Sequence, residues 1–574
     1  MRYLYLLLLA ILMFACNDAS KKTTLPLDRE AIIRDSLQKI RIAKFEYGRV
    51  VSAGVIREVF ETRETGRNFQ IQGIELYSSE LLPKVYTESE FKPLWFINCD
   101  SLGKIGQMID VVAESEFHGL QPEDYHYKEL ILNWDELVAD GALIFNANFI
   151  AGFDLLLTDA FFGLSKNLYY GKLESEALDT IWGIPRNKSI IPFDVHLKAI
   201  LNKGSVQETF SQFYPPYPGY EAMVAEAKRL RAIESSDFQV KLDLKQSIKP
   251  GDSLKSVALI KDKLAFLGFY QPDTINPPNL YDEMAVEAIR ELQEQFGYNM
   301  DGAIGKNTLK ALNMPVEQKI NQLYVNMERL RWMPDSLEKV YLMVNIADFT
   351  LNVFSGNDTL LSMRTIVGKD ARETPVFNSR ITYMVMSPSW HVPPTIKKQD
   401  VIPSVIKDIS YLEKKQMKVI DAKGNVVDPS TVNWKRDGMK YSIKQQPGAQ
   451  NSLGKVKFMF PNKHNIYLHD TPSRSLFARD ERTFSSGCIR VEKPFELASL
   501  LLSDKPEWTP ERIKQAMDSG VEKTIVLKDK VGVYIYYLTA WGSASGKINY
   551  RADVYNRDKV IEEALSEKSL NKVL

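Results

Sequence analysis

Ser485-Ser486-Gly487-Cys488-Ile489-Arg490 sets a small-residue turn ahead of a cysteine, an apolar residue and an arginine. Nineteen positions before the cysteine stands His469, in the run Ile466-Tyr467-Leu468-His469-Asp470-Thr471-Pro472. A thiol attacks as its thiolate, and a free cysteine has a pKa of about 8.5. A neighbouring imidazole or other positive field is what lets it react near neutral pH. Cys488 and His469 supply that pair of groups if the fold brings them together.

The chain has 574 residues, too many for a single core, so several domains are expected. Its 44% hydrophobic and 25% charged residues are those of a water-soluble globular protein. Lys+Arg and Asp+Glu both number 73, and this balance gives no support to nucleic acid as a partner. Three cysteines, Cys16, Cys99 and Cys488, are too few for a disulfide framework. A Cys99–Cys488 bridge is formally possible but would silence the nucleophile.

The N-terminus reads as a targeting segment. Met1-Arg2 precedes an apolar stretch ending Met13-Phe14-Ala15-Cys16, which is too short for the ~20 apolar residues of a membrane span. Ala15-Cys16 resembles a bacterial lipobox, in which the cysteine is lipidated and becomes the mature N-terminus. Ordinary secretion with cleavage elsewhere is the alternative. Either implies a signal peptide over 1–15, a polar tether over 16–28 and a place in the cell envelope, on the periplasmic side. The first also implies a lipid anchor in a membrane.

Residues 29–245 show helical periodicity. Phe149, Phe153, Leu156, Leu157, Ala160, Phe161 and Leu164 recur at three- and four-residue steps and predict a buried helix face. His118, His126 and His196 are scattered there and read as structural or surface residues. A compact unit is predicted over 250–315. Val257, Ile260, Leu264 and Leu267 form one stripe, and Ala285, Ile289, Leu292 and Phe296 a second. The turn Asp301-Gly302-Ala303-Ile304-Gly305 then leads into a short third helix. The ordered elements L-x-x-L-G-F, Y-D-x-x-x-x-E-A-I and D-G-x-I-G-x-x-T-L-x-A-L-N make this three-helix unit similar to a small peptidoglycan-binding domain.

A connecting helix is predicted over 316–336, with Ile320, Leu323, Met327 and Leu330 on one face. From about 340 the period becomes two. Val340–Asn345, Phe349–Phe354, Met363–Val367 and Gly532–Tyr537 read as strands of a mostly-β domain over 338–541. Residues 395–440 are charged, helical at first and turn-rich around Asp421–Asn425. They read either as a capping insertion over the site or as a surface decoration. Residues 542–574 read as a C-terminal tail. The fold class expected is multidomain α+β: a helical scaffold domain, a small three-helix domain and a mostly-β catalytic domain with a capping insertion.

The C-terminal half resembles the L,D-transpeptidases with a YkuD-type catalytic domain. The motifs that carry the resemblance are Val367-Gly368-Lys369 with Thr374-Pro375, Ser387-Pro388-Ser389-Trp390-His391-Val392-Pro393 and Gln446-Pro447-Gly448-Ala449-Gln450-Asn451. Tyr467-Leu468-His469-Asp470-Thr471 and Ser485–Arg490 complete the set. The whole chain is similar to the large subfamily that adds an N-terminal scaffold domain and a peptidoglycan-binding domain. Where many family members have a histidine two before the nucleophile, this chain has Ser486, so His469 is left as the base. His391 lies in a separate motif and reads as a wall or structural residue.

The resemblance implies cysteine-dependent acyl transfer on peptidoglycan stem peptides, both as donor and as acceptor, with cell-wall synthesis proteins as further partners. Cys488 would attack, His469 would carry the proton, and the N–H groups of Ser486, Gly487 and Cys488 would face the oxyanion. Arg490 suits a substrate carboxylate, unless it is a structural ion pair. Tyr467 and Trp390 would wall the site, unless Trp390 is an ordinary core aromatic. Cys16 is the lipidation site. No metal or other cofactor is required. A metal site from His464, His469, Asp470 and Cys488 fits no recognised ligand spacing. The alternatives are L,D-carboxypeptidase action, with water as acceptor, and an idle envelope lipoprotein that only binds peptidoglycan.

Overall fold

The computed structural model describes residues 27–62, 68–98, 102–178, 182–186, 188–272, 276–356 and 358–567. Cys16 and Cys99 lie outside these, and with them the expectations of a signal peptide, a lipidated cysteine and a Cys99 bridge. The chain divides into two compact units: residues up to Ile109 together with Lys128–Ala160, and Asp110–Tyr127 together with the chain from Phe161 onward. The helical region expected over 29–245 is therefore shared between them.

The first unit holds the helix Leu27–Glu61 and a small hairpin of β1 (Phe69–Ile71) and β2 (Ile74–Leu76). Its core is keyed by buried Asp154, which accepts hydrogen bonds from Tyr86 Oη (2.5 Å), Leu94 N (2.9 Å) and Trp95 N (2.7 Å). Asp154 belongs to the helix Ala147–Tyr170, whose predicted apolar face is buried from Phe153 to Leu164 and half-buried at Phe149. That helix is long and apolar enough to suit a membrane span, but most of it is covered within the fold, as a core helix.

In the second unit, the helices Lys255–Leu267, Glu283–Gln295 and Lys306–Leu312 form the predicted three-helix domain. Asp282 Oδ1 caps the second of them by accepting from Ala285 N at 2.9 Å. The next helix, Val316–Arg331, is more than a connector with one apolar face. Glu328, Arg329 and Arg331 on its other faces are also buried. Arg331 donates to Glu328 Oε2 (2.9 Å) and to Tyr220 Oη (2.9 Å), and Arg329 to Asp558 Oδ1 (2.5 Å). Each arginine is paired with a carboxylate, which is what permits a charged sequence to run through a core, although Arg329 Nε and Nη2 and Arg331 Nε are buried without a hydrogen-bond partner.

The mostly-β domain is a closed barrel. Its strands are β4 (Val340–Asn345), β5 (Thr350–Ser355), β6 (Asp358–Gly368), β7 (Val376–Met386), β12 (Val456–Met459), β13 (Leu468–His469), β15 (Ile489–Val491) and β16 (Lys523–Tyr536). They pair in the order β12-β13-β15-β6-β5-β4-β16-β7, and β7 closes the ring on β12. Most pairs are antiparallel, whereas β13–β15 and β4–β16 are parallel. The short strands β3 (Trp182–Gly183) and β14 (Thr483–Ser485) add to β7 and β6. Val344, Leu351, Val367, Met384, Phe458, Leu468 and Ile489 are among the residues that fill the interior.

The insertion has its own sheet, β10-β9-β11-β8, built from β8 (Trp390–His391), β9 (Met417–Ile420), β10 (Val426–Val427) and β11 (Ser442–Gln445). Its helical run from Pro394 to Lys407 contains a wider π turn at Lys397–Val401. Trp390, Val401, Ile402, Leu412, Val419, Trp434 and Ile443 form its core, and Tyr467 packs against it. It is a small subdomain with a core of its own. The segment from 542 is not a loose tail through its described length. Strands β17 (Ala540–Gly542) and β18 (Ile548–Tyr550) form a hairpin, and the helix Asp558–Ser566 buries Ile561 and Leu565.

Candidate active site

The parallel pair β13–β15 builds the site. Leu468 is level with Ile489 and His469 with Arg490, and Ile489 N donates to Tyr467 O at 3.1 Å. Side chains alternate along a strand, and paired residues share a face. Leu468 and Ile489 are buried in the barrel. Tyr467, His469, Cys488 and Arg490 therefore share the opposite face. Sequence reasoning named all four, and the fold brings them together although nineteen residues separate the cysteine from the histidine.

His469 Nδ1 lies 2.6 Å from the backbone oxygen of Asp470. A carbonyl only accepts, so the Nδ1 carries the proton and Nε2 is the basic atom. Asp470 is itself held, its carboxylate accepting from Lys455 N (2.9 Å) and Arg474 Nη1 (3.2 Å). Burial first, and then the Arg490 charge, push the imidazole pKa down to about 3. The Tyr467 ring lies 5.6 Å from the imidazole, centroid to centroid.

Burial pushes the Cys488 thiol up to about 11, against hydrogen bonds from Tyr467 and the charge of Arg490, which favour the thiolate. Its S–H donates to Asn465 O at 3.7 Å. Tyr467 offers the sulfur both its backbone N–H and its phenolic O–H, and Trp390 in turn hydrogen-bonds the phenol. Trp390 is thus both core of the capping subdomain and a member of this relay. Burial thus favours the neutral form of both the thiol and the imidazole.

The turn before the cysteine is tightly fixed. Gly487 has φ +106°, and a Cβ there would sit 3.2 Å from Ile466 Cδ1, so the position wants glycine. Thr374 Oγ1 donates to Gly487 O (2.8 Å) and accepts from Gly368 N (2.9 Å). Of the three amides expected to face an oxyanion, Gly487 N–H donates to Ser485 Oγ at 3.2 Å in this state. Ser486 is exposed, and its Oγ accepts from Arg372 Nη1 at 2.7 Å.

Sequence reasoning gave no role to Arg372, Asn465 or Lys457. Lys457 sits opposite His469 on β12. Its signal was the alternation Val456-Lys457-Phe458, legible only once the register is known. His391 pairs with Lys444 on β11, and His464 lies against the Phe377 ring at 5.3 Å. Among the described residues no group of three or more His, Cys, Asp or Glu side chains is placed to hold a metal.

Comparison with known proteins gives this architecture its class. Residues 339–527 match the family model described as L,D-transpeptidase catalytic domain. Residues 80–226 match a model described as Scaffold domain, and 253–312 one described as "Putative peptidoglycan binding domain". A Haemophilus influenzae protein named "Putative L,D-transpeptidase" is 35% identical over 265 residues, 45% of this chain and 53% of the relative. The chain thus spans about half the length of that curated relative. Among solved structures, an L,D-transpeptidase from Xylanimonas cellulosilytica is 13% identical (TM-score 0.18), covering 52% of this chain and all of that one. One from Stackebrandtia nassauensis is also 13% identical (TM-score 0.19), covering 54% of this chain and 98% of that one. Residues 339–527 are thus similar to L,D-transpeptidase catalytic domains, and the stretches before them to a scaffold domain and a peptidoglycan-binding domain.

Proposed function

We propose that the protein is a peptidoglycan L,D-transpeptidase that forms 3→3 cross-links through a thioester on Cys488. The observation that carries this is the shared face of Tyr467, His469, Cys488 and Arg490 on two parallel strands.

The donor is a stem tetrapeptide, cut between the L-centre of its diamino acid and the terminal D-Ala. The Cys488 S–H proton passes to His469 Nε2 as sulfur bonds to the carbonyl carbon. Tyr467 donates to the developing thiolate, so charge appears only where donors already stand. Collapse of the tetrahedral oxyanion breaks the C–N bond, and the imidazolium returns its proton to the departing D-Ala nitrogen. An amine of a neighbouring stem then attacks the thioester and gives its proton to His469. Cys488 leaves as thiolate and is reprotonated. The balance needs no metal, nucleotide or redox partner. Backbone N–H groups of Ser486, Gly487 and Cys488 serve the oxyanion, with Gly487 N–H first released from Ser485 Oγ. Arg490 holds a donor carboxylate.

The three-helix domain would keep the enzyme on the wall, and a lipid at Cys16 would hold it at a membrane on the periplasmic side. Fatty-acid labelling of wild type and Cys16→Ala tests the latter. Incubating the purified protein with disaccharide tetrapeptides tests the chemistry. Free D-Ala and 3→3 dimers are expected, both abolished in Cys488→Ala. Tripeptides without dimers would instead identify an L,D-carboxypeptidase.

A further inference from the structure

The barrel register sets three side chains in a row. Lys457 is level with His469 across β12–β13, and His469 is level with Arg490 across β13–β15. Phe458, Leu468 and Ile489 point into the barrel, so Lys457, His469 and Arg490 lie together on the face that bears Cys488. The base is flanked on both sides by a cation.

Neither cation is spoken for. Lys457 is half-buried and makes no hydrogen bond or ion pair among the described residues. Arg490 makes no ion pair among them either, and its Nε is buried without a hydrogen-bond partner. Burial holds the pKa of each below its ordinary value. Glu522 is the carboxylate that acts on Lys457, but Ser389 N and Ser389 Oγ donate to it, and it also acts on His391 and feels Lys444. His391 is held toward its neutral form by burial and by Lys444 and Lys457. One carboxylate among Lys444, Lys457 and Arg490 leaves surplus positive charge beside the nucleophile.

Half-buried cations without partners are costly unless a ligand supplies the anion. Strands lie ~4.8 Å apart, so the two cationic side chains are rooted about 10 Å apart on either side of the base. That arrangement fits a donor with a carboxylate on each side of its scissile carbonyl. We propose that Lys457 is a specificity-determining residue that binds the side-chain carboxylate of the donor's diamino acid, while Arg490 takes the terminal carboxylate. The enzyme then selects stems whose diamino acid carries a free carboxylate over those in which it is a carboxamide. This rests on the transpeptidase reading above.

Two synthetic tetrapeptide donors, identical except for carboxylate or carboxamide on the diamino acid side chain, provide the test. D-Ala release gives kcat/KM for each. A hydrogen bond to a charged group contributes about 1.5–3 kcal/mol, so the wild type should favour the carboxylate donor roughly 10- to 100-fold. Lys457→Gln should bring the two donors to near equality, and Lys457→Arg should keep part of the preference. The ratio within one variant cancels any loss of folded protein. An unchanged ratio in Lys457→Gln, or no preference in the wild type, overturns the proposal. No release from either donor by the wild type overturns the transpeptidase reading itself, and this inference with it.

Discussion

Arg372 and Ser486 are joined by a 2.7 Å hydrogen bond, Nη1 donating to Oγ, and the same guanidinium grips the capping subdomain. Its Nη1 and Nη2 donate to Asp400 Oδ2 (2.5 Å) and Oδ1 (3.0 Å), and its Nε to Gln399 Oε1 (2.9 Å). One planar fork thus ties the turn before Cys488 to the helical run 394–407, a task the point charge of a lysine does less well. Arg372→Ala should lower kcat/KM about tenfold, the scale of one charge-assisted hydrogen bond, with Arg372→Lys in between. Hydrogen exchange over 395–415 should quicken in the alanine variant. Unchanged exchange there would show that Arg372 does not hold the subdomain down.

Because burial places the Cys488 thiol at about 11, its alkylation by iodoacetamide should keep rising through pH 9. A plateau below pH 8 would reveal a resting thiolate–imidazolium pair and contradict the neutral resting state. The base should show the complementary behaviour. His469 is held at about 3 when folded, against an ordinary 6.5, so the unfolded chain binds the extra proton across that window. Stability from this group is complete above 6.5 and declines as pH falls toward 3. The acid limb of kcat/KM in wild type should accordingly lie below pH 6. A limb at the pH of a free histidine would mean that His469 is not shielded as described.

Tyr467→Phe removes the phenolic donor to sulfur while keeping the ring. The loss should fall on kcat, by about 10- to 100-fold, since the bond strengthens as the thiolate forms. Trp390→Phe, one step further back in the relay, should cost less. If Tyr467→Phe raises KM and spares kcat, the tyrosine is a wall residue only.

Glu328 and Arg331 form an ion pair in which both side chains are fully buried. Removing one partner of such a pair leaves a naked charge and costs about 3–5 kcal/mol. Glu328→Ala should therefore unfold at markedly lower denaturant concentration than wild type. A change within ~0.5 kcal/mol, typical of surface positions, would contradict the central place given to this helix.

The four side chains of the site were legible in sequence because each sits inside a short motif. The α+β class and the three-helix unit were legible because period and glycine stops are local signals. What was hidden depends on contacts made far along the chain. Lys457 reaches His469 only through strand pairing, and Arg372 reaches Asp400 and Ser486 only through the closed barrel. The helix from 316 to 331 showed one apolar stripe, and nothing local said that Asp558 and Tyr220 would come to accept from Arg329 and Arg331. The burial that pushes the Cys488 thiol up and the His469 imidazole down likewise comes from packing by distant segments, which no local motif announces.

Intact-mass spectrometry of the protein mixed with a tetrapeptide donor tests the central claim most directly. A thioester adduct equal to the donor minus D-Ala should appear, map to Cys488, and disappear on addition of an acceptor amine. Release of D-Ala by Cys488→Ala at the wild-type rate, or an adduct on any other residue, would contradict it.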